Sequence, residues 1–285
     1  MKPVISLLKR VARTLLIVFL VVLGTTLLIR FAPGYLSDAR EMDARYGDAA
    51  RVELSTEAAR SSSMRKMLST ELSAWTNGSL GLSRQYDVPV LELVLPRLAV
   101  TGGLMLRAIV FAWSLAVCAS LLSSAGRNPS LVWQVPGTLL LAVPTAAMAT
   151  VCLLAGSGGP VLVMTLLLAA RDFKFLDRLL RKAWLDPHLL QARAQGLTTP
   201  RLVRAHILPS IKPQLLALAT LSIVTALGAL VPVEVIFSVP GLGQLAWNAA
   251  MNRDLPVLLA VTMIMAIAVT FAGVASDGTG EWQGA

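Results

Sequence analysis

The chain has 285 residues, 55% of them hydrophobic and 14% charged, with a formal net charge of +9 and a mean hydropathy of +0.70. A water-soluble domain carries about 25% charged residues to give itself a polar skin, so a soluble fold is excluded and lipid must face most of the surface. The positive charge does not point to nucleic acid, because no aromatic-interleaved basic surface is present to stack bases, and membrane proteins gain basic residues on their cytoplasmic side. Cys118 and Cys152 lie inside apolar runs and read as small hydrophobes, not as a disulfide framework. His188 and His206 are the only histidines and stand in no Cys/His cluster, so no metal site, cofactor or catalytic group is expected.

Residues 14–29 form the first apolar run, bracketed by Lys9, Arg10 and Arg13 before it and Arg30 after it. As a helix it rises roughly 24 Å, and snorkelling of the flanking arginines extends it to a full span. A cleaved signal peptide is the competing reading, but no small-x-small cleavage site follows. Residues 1–32 therefore read as a cytoplasmic end and a first span, and 33–97 as a polar periplasmic segment of nearly balanced charge. Near its end Asp87 is positioned to cap a short helix with Pro89 in its first turn and a stripe of Val90, Leu91, Val94 and Leu95, lying along the membrane surface.

Residues 98–276 read as a core of five further spans. The second span covers about 98–122 and contains Arg107, which either snorkels to an interface or faces a wet interior. Snorkelling is the expected state, with Gly102 and Gly103 delaying the embedded part of the helix. Residues 131–170 carry no charge; a single helix of that length would be about 60 Å long, twice the hydrocarbon core. The Gly156-Ser157-Gly158-Gly159-Pro160 cluster is the natural place to fold it into two spans. A basic segment, 171–213, follows, then spans at about 214–233 and 255–275, and a tail over 277–285 that reads as disordered. The basic N-terminus, the loop holding Arg127 and the segment 171–213 all fall on one side, which the positive-inside rule makes cytoplasmic. Six spans place both termini there.

Residues 186–213 read as two short helices. Asp186 and Pro187 start the first and Gly196 ends it, with Arg193 in the last turn complementing the helix dipole; Thr199-Pro200 starts the second, which runs from Arg201 and ends at Leu208-Pro209. A rigid basic knob between two spans suits docking into a partner's groove.

Here the sequence resembles the permease subunits of ATP-binding-cassette importers, in the branch that moves dipeptides, oligopeptides and nickel. The family's cytoplasmic "EAA" loop has an alanine, a glycine and a Leu-Pro whose proline lies thirteen positions after the glycine; Ala192, Gly196 and Leu208-Pro209 keep that spacing, with Leu190-Gln191 in place of the leading Glu-Ala. The exit of the first span at Arg30-Phe31-Ala32-Pro33-Gly34 is similar to the family's, as is Gly78-Ser79-Leu80-Gly81-Leu82-Ser83 with Pro89-Val90 and Arg97-Leu98. Most specific is Glu234-Val235-Ile236-Phe237-Ser238-Val239-Pro240-Gly241-Leu242-Gly243 followed by Arg253-Asp254-Leu255-Pro256, which resembles the re-entrant connection between the last two spans. Between about residues 103 and 180 the pattern lapses, and it lapses again in the tail.

The resemblance implies a type I importer permease fold in a bacterial inner membrane, all-α and multi-pass. The chain would form half of a pathway for peptides or a similar small solute. It would not itself be an enzyme, since nothing matches a Walker A loop and ATP hydrolysis falls to separate subunits. Implied partners are a second homologous permease, two cytoplasmic ATP-binding subunits, a periplasmic solute-binding protein and the lipid bilayer. Ala192, Arg193, Gly196, Leu208 and Pro209 would couple to the ATPase; Glu234, Phe237, Pro240, Gly241 and Gly243 would gate the outer side; Arg107 is a possible pathway residue. The rivals are a degenerate permease kept as a scaffold and an ion-gradient-driven secondary transporter. The second would need ionisable groups at membrane depth, where Arg107 alone qualifies and has no acidic partner. Gly196, between two capped helices, is expected to take a positive φ, a region strongly disfavoured for β-branched residues. Gly196→Val is expected to uncouple ATP hydrolysis from transport, and normal uptake by a well-assembled variant complex would refute this.

Overall fold

The computed structural model describes residues 80–125, 131–156, 158–186 and 198–280, with scattered positions between 12 and 27. Those scattered positions are all helical, as the first apolar run predicts. The fold is all-α: α1 (Val90–Ala125), α2 (Leu131–Ala142), α3 (Thr145–Leu154), α4 (Pro160–Trp184), α5 (Thr199–Leu202), a π-helical turn (Val203–Ile207), α6 (Leu208–Ile236), α7 (Leu242–Met251) and α8 (Leu255–Gly280). Two compact units form, one from Met1–Val100 with Pro240–Thr270, the other from Thr101–Val239 with Phe271–Ala285.

Among the described residues three helices are long and apolar enough to cross a membrane, Val90–Ser123, Val203–Ile236 and Leu255–Gly273, and α2 with α3 makes a fourth if the bent pair is one span. α4 stands outside that set because Arg171, Asp172, Lys174 and Asp177 crowd its middle turns.

Four expectations are corrected. The short helix expected over Val90 to Leu95 and the second span are one, because α1 runs unbroken for 36 residues, about 54 Å, through Pro96, Gly102 and Gly103. Val90 and Val94 of the expected stripe are buried against Leu242, Leu245, Val257 and Val261, and that burial offsets the hydrogen bond lost at Pro96. Leu91 and Leu95 are exposed. Asp87 lies three residues ahead of α1, at φ +52 in a turn where its amide donates to the Ser83 carbonyl, and Pro89 bridges Leu82 just before α1 begins.

The second correction is an extra break. The chain between α2 and α3 turns by 99° at Val143-Pro144. Proline disfavours helical geometry in the residue before it, and Pro144 itself is extended (ψ 139) at the start of α3. The glycine turn expected at 156–160 is present beyond it. Gly156 and Gly158 both take positive φ, and Pro160 occupies the first turn of α4.

Third, Pro209 does not end the second of the two short helices expected over 186–213. α5 passes through the π-helical turn straight into α6, where Pro209 lies in the first turn. The Leu208 amide reaches back five residues to the Val203 carbonyl, and this wider turn makes room for a proline that has no N–H to give. Fourth, the tail expected to break at Asp277 is helical as far as Gly280.

Gly158 is the position where glycine is required. At φ +85 a side chain is strained, and a Cβ there would collide with the Leu162 side chain, including a 3.2 Å approach to its Cβ. Gly158→Ala is expected to cost about 1–2 kcal/mol, measured as a lower thermal-unfolding midpoint of the detergent-purified protein.

Candidate functional site

Within the unit formed by residues 101–239 and 271–285, α4 and α6 form an antiparallel pair, tied at three successive levels. At the C-terminal end of α4, Ala183 shares an apolar cluster with Leu202 of α5, Ile207 of the π-helical turn and Ile211 of α6, with Leu179, Leu180, Trp184, Val203 and Leu215 packed against it. Seven residues along each helix, Leu176 and Leu218 share a second cluster with Ala116 and Phe173. Four residues further, Ser222 meets Asp172. Steps of seven and four return to the same helix face, so opposing stripes of α4 and α6 stay in register.

The third level is polar. Asp172 is fully buried. Its Oδ1 accepts from the Arg171 guanidinium at 2.9 Å and its Oδ2 from the Ser222 hydroxyl at 2.9 Å. Arg171, 20% exposed, also donates to the Leu221 carbonyl at 3.1 Å, to Thr225 Oγ1 and to Ser222 Oγ at 3.2 Å. Trp113 Nε1 of α1 donates to the same Ser222 oxygen at 3.2 Å. Ser222 Oγ thus receives two hydrogen bonds and, with one proton to give, lies 2.9 Å from both Asp172 Oδ2 and the Leu218 carbonyl oxygen, the full capacity of a hydroxyl. A charge so placed costs several kcal/mol to desolvate, repaid only by this many partners.

A second ion pair lies two turns along. Arg181 Nε contacts Asp177 Oδ2 at 2.9 Å, and Arg181 Nη2 reaches Ser123 Oγ at 2.8 Å and the Ser123 carbonyl at 3.3 Å. Ser123 lies in the last turn of α1, where carbonyls lack intrahelical partners, so Arg181 caps α1 from outside it. At the far end of α6, Glu234 is fully buried and Oε1 accepts from Thr101 Oγ1 at 2.7 Å.

The sequence-predicted residues distribute unevenly. Ala192, Arg193 and Gly196 lie outside the described residues. Leu208 and Pro209 are exposed, as are Arg201, Arg204 and His206, while Leu202 and Ile207 face inward, so the segment has an apolar inner face and a basic outer one. Glu234 and half-buried Phe237 belong to this unit; exposed Pro240 and buried Gly241 and Gly243 belong to the other. Ser238 turns the chain at φ +53, and the Val239 amide donates to the Glu234 carbonyl at 2.8 Å. Arg107 is exposed on α1, its Nε folded back 2.9 Å onto the Gly103 carbonyl of its own helix, and it takes no part in the interior network. Arg171 and Asp172, by contrast, form an ion pair within the helix bundle, on α4. The sequence signal was the adjacent opposite charges directly after an uncharged run. Among the described residues no group of three His, Cys, Asp or Glu side chains is placed to hold a metal.

The unit formed by residues 1–100 and 240–270 has its own polar clasp. Asp254, 1% exposed, begins α8: its carbonyl accepts from the Leu258 amide at 3.0 Å. Its carboxylate turns away from that helix to the turn before α1. Oδ2 accepts from Ser83 Oγ and from the Gln85 amide at 3.3 Å, and Oδ1 from the Arg84 amide at 3.2 Å. Ser83 Oγ in turn accepts from the Tyr86 amide at 3.1 Å.

Residues 108–283 match the family described as "binding-protein-dependent transport system inner membrane component". The chain belongs to this family. The match spans the stretch from 108 to 180, where sequence motifs alone had lapsed. The permease is 34% identical over 114 residues to the oligopeptide transport system permease protein AppB of Bacillus subtilis, covering 39% of this chain and 36% of AppB. It is 32% identical over 108 residues to the metal-staphylopine import system permease protein CntB of Staphylococcus aureus, covering 38% and 34%. Both alignments span about a third of those relatives. The oligopeptide transport system permease protein OppB of Escherichia coli is 26% identical over 212 residues, covering 66% of this chain and 69% of OppB. A chain of the MetNI methionine ABC transporter in an inward-facing form superposes with a TM-score of 0.55 at 18% identity, covering 66% of this chain and 94% of that one, which shows a shared permease fold.

Asp254→Ala would leave the Ser83 hydroxyl and two amides without their acceptor, at a cost of about 1–3 kcal/mol. Trypsin is expected to cleave the variant faster at exposed Arg84 than the unsubstituted protein, and equal cleavage would show that the clasp does not hold this turn.

Proposed function

We propose that this permease is the transmembrane subunit of an ATP-driven importer of peptides or a similar small solute, set in a bacterial inner membrane and supplying half of the pathway. The family match over residues 108–283 carries the reading. The arrangement of the cytoplasmic segment supports it. A free loop would lose any displacement to its own flexibility, but here residues 199–207 run without interruption into α6 and are seated on the end of α4. Ala192, Arg193, Gly196, Leu208 and Pro209 contact a separate ATPase subunit, the basic outer face of the segment meeting its groove. ATP-driven closure of two such subunits moves the segment and switches the spans between inward- and outward-open states, a rigid-body transition. Glu234, Phe237, Pro240, Gly241 and Gly243 shape the outer end of the pathway, where a solute-binding protein delivers its cargo. A second homologous permease supplies the other half. Arg107 snorkels, its guanidinium drawn towards the N-terminal end of α1 in the direction helical side chains lean.

Purification from the native membrane is expected to bring down an ATP-binding subunit and a second permease, and the complex in liposomes to take up short labelled peptides only with ATP. Recovery of a functional lone monomer, or uptake driven by an ion gradient without ATP, would refute the importer reading.

A further inference from the structure

We infer that Asp172 is a positioning residue for transport: with Arg171, Ser222 and Thr225 it fixes α4 to α6 so that the two helices move as one lever. This rests on the importer reading above. The cytoplasmic segment enters α6 directly but packs its apolar face on α4. A push on the segment therefore loads both helices at once. Two apolar contacts alone, Ala183 with Ile211 and Leu176 with Leu218, would let the pair shear, because apolar surfaces are non-directional and slide at little cost.

The polar level resists that shear. Asp172 Oδ2 is bound to Ser222 Oγ, while Arg171 donates to three groups on one stretch of α6, the Leu221 carbonyl, Ser222 Oγ and Thr225 Oγ1. Sliding by one residue would strip these groups of partners inside an apolar bundle, where unpaired polar atoms are expensive. The network thus sets a single register between α4 and α6. α6 then carries the displacement to its far end, where buried Glu234 is held by Thr101. The roles differ along the lever. Apolar clusters hold the helices together, and the polar level decides which turn faces which.

The experiment uses the complex purified from its native membrane, with Cys118→Ser and Cys152→Ser. Nitroxide labels are placed at exposed positions of the two helices through Phe175→Cys on α4 and Leu221→Cys on α6. Pulsed dipolar spectroscopy measures their separation without nucleotide and after trapping with ATP and vanadate, with arrested hydrolysis reporting the trap. One narrow distance common to both states is expected, and a separation that shifts on trapping overturns the lever. In Asp172→Asn the separation is expected to become state-dependent. A distribution that stays narrow in both states, or broadens equally in both, assigns Asp172 no positioning role and overturns the inference. Ser222→Ala, which keeps the ion pair, is the second variant should Asp172→Asn fail to assemble, and the same two outcomes decide it. Hydrolysis absent from the unsubstituted complex, or untouched by vanadate, overturns the importer reading and the lever with it; a shifting separation in a trapped complex overturns the lever alone.

Discussion

A carboxylate with no solvent exposure sits two residues beyond an uncharged helical run, and much of the unit around it follows from the need to satisfy that charge. Asp172 has no water to turn to, so its oxygens take the Arg171 guanidinium and the Ser222 hydroxyl, and those groups draw in Thr225, the Leu221 carbonyl and Trp113. Three helices are thereby set in one register. Buried charges of this kind are weak evidence for net stability, because well-packed apolar residues would often hold the helices as firmly. Their distinctive property is directionality. An apolar seam of leucines and alanines is nearly degenerate with respect to a one-turn slip, whereas a saturated hydroxyl and a paired carboxylate are not.

The same device recurs at two other places where backbone groups must be satisfied. Asp254 holds the turn before α1 by accepting two backbone amides and a hydroxyl, and Arg181 satisfies the Ser123 carbonyl near the end of α1. The π-helical turn at Val203–Ile207 solves a related problem inside the backbone, since it lets a proline follow without breaking the link between α5 and α6. A chain surrounded by hydrocarbon has few other options. Every break in a helix exposes N–H and C=O groups that lipid will not accept, and side chains or altered helical turns must absorb them.

Much of the fold was legible in the residues. Composition forced a membrane protein, the first apolar run is helical at its described positions, and the Gly156–Pro160 cluster turns the chain into α4. The motif around Glu234 to Gly243 marked the junction between α6 and α7. Helix punctuation misleads where burial competes with it. Asp87-Pro89 reads as a helix start followed by a stop near Leu98, but burial of Val90 and Val94 joins both stretches into one rod. Pro209 reads as a stop and is passed over by a widened turn, while Val143-Pro144, inside an uncharged run, bends the chain by 99°.

The sequence alone determined solvent, fold class and family resemblance, because these depend on sums and spacings: the share of apolar residues, the length of uncharged runs, and the thirteen positions from Gly196 to Pro209. Only the tertiary structure decided which charges matter inside the bundle. Arg107 was the conspicuous one, yet it lies on the outside of α1 and bonds to its own helix, while Arg171 and Asp172, at the margin of an apolar run, face Ser222 and Thr225 some fifty residues away. Whether a charge is buried depends on which helix packs against it and in which register. That is set jointly by the stripes of α4 and α6, and neither stripe read alone says that Asp172 will meet Ser222.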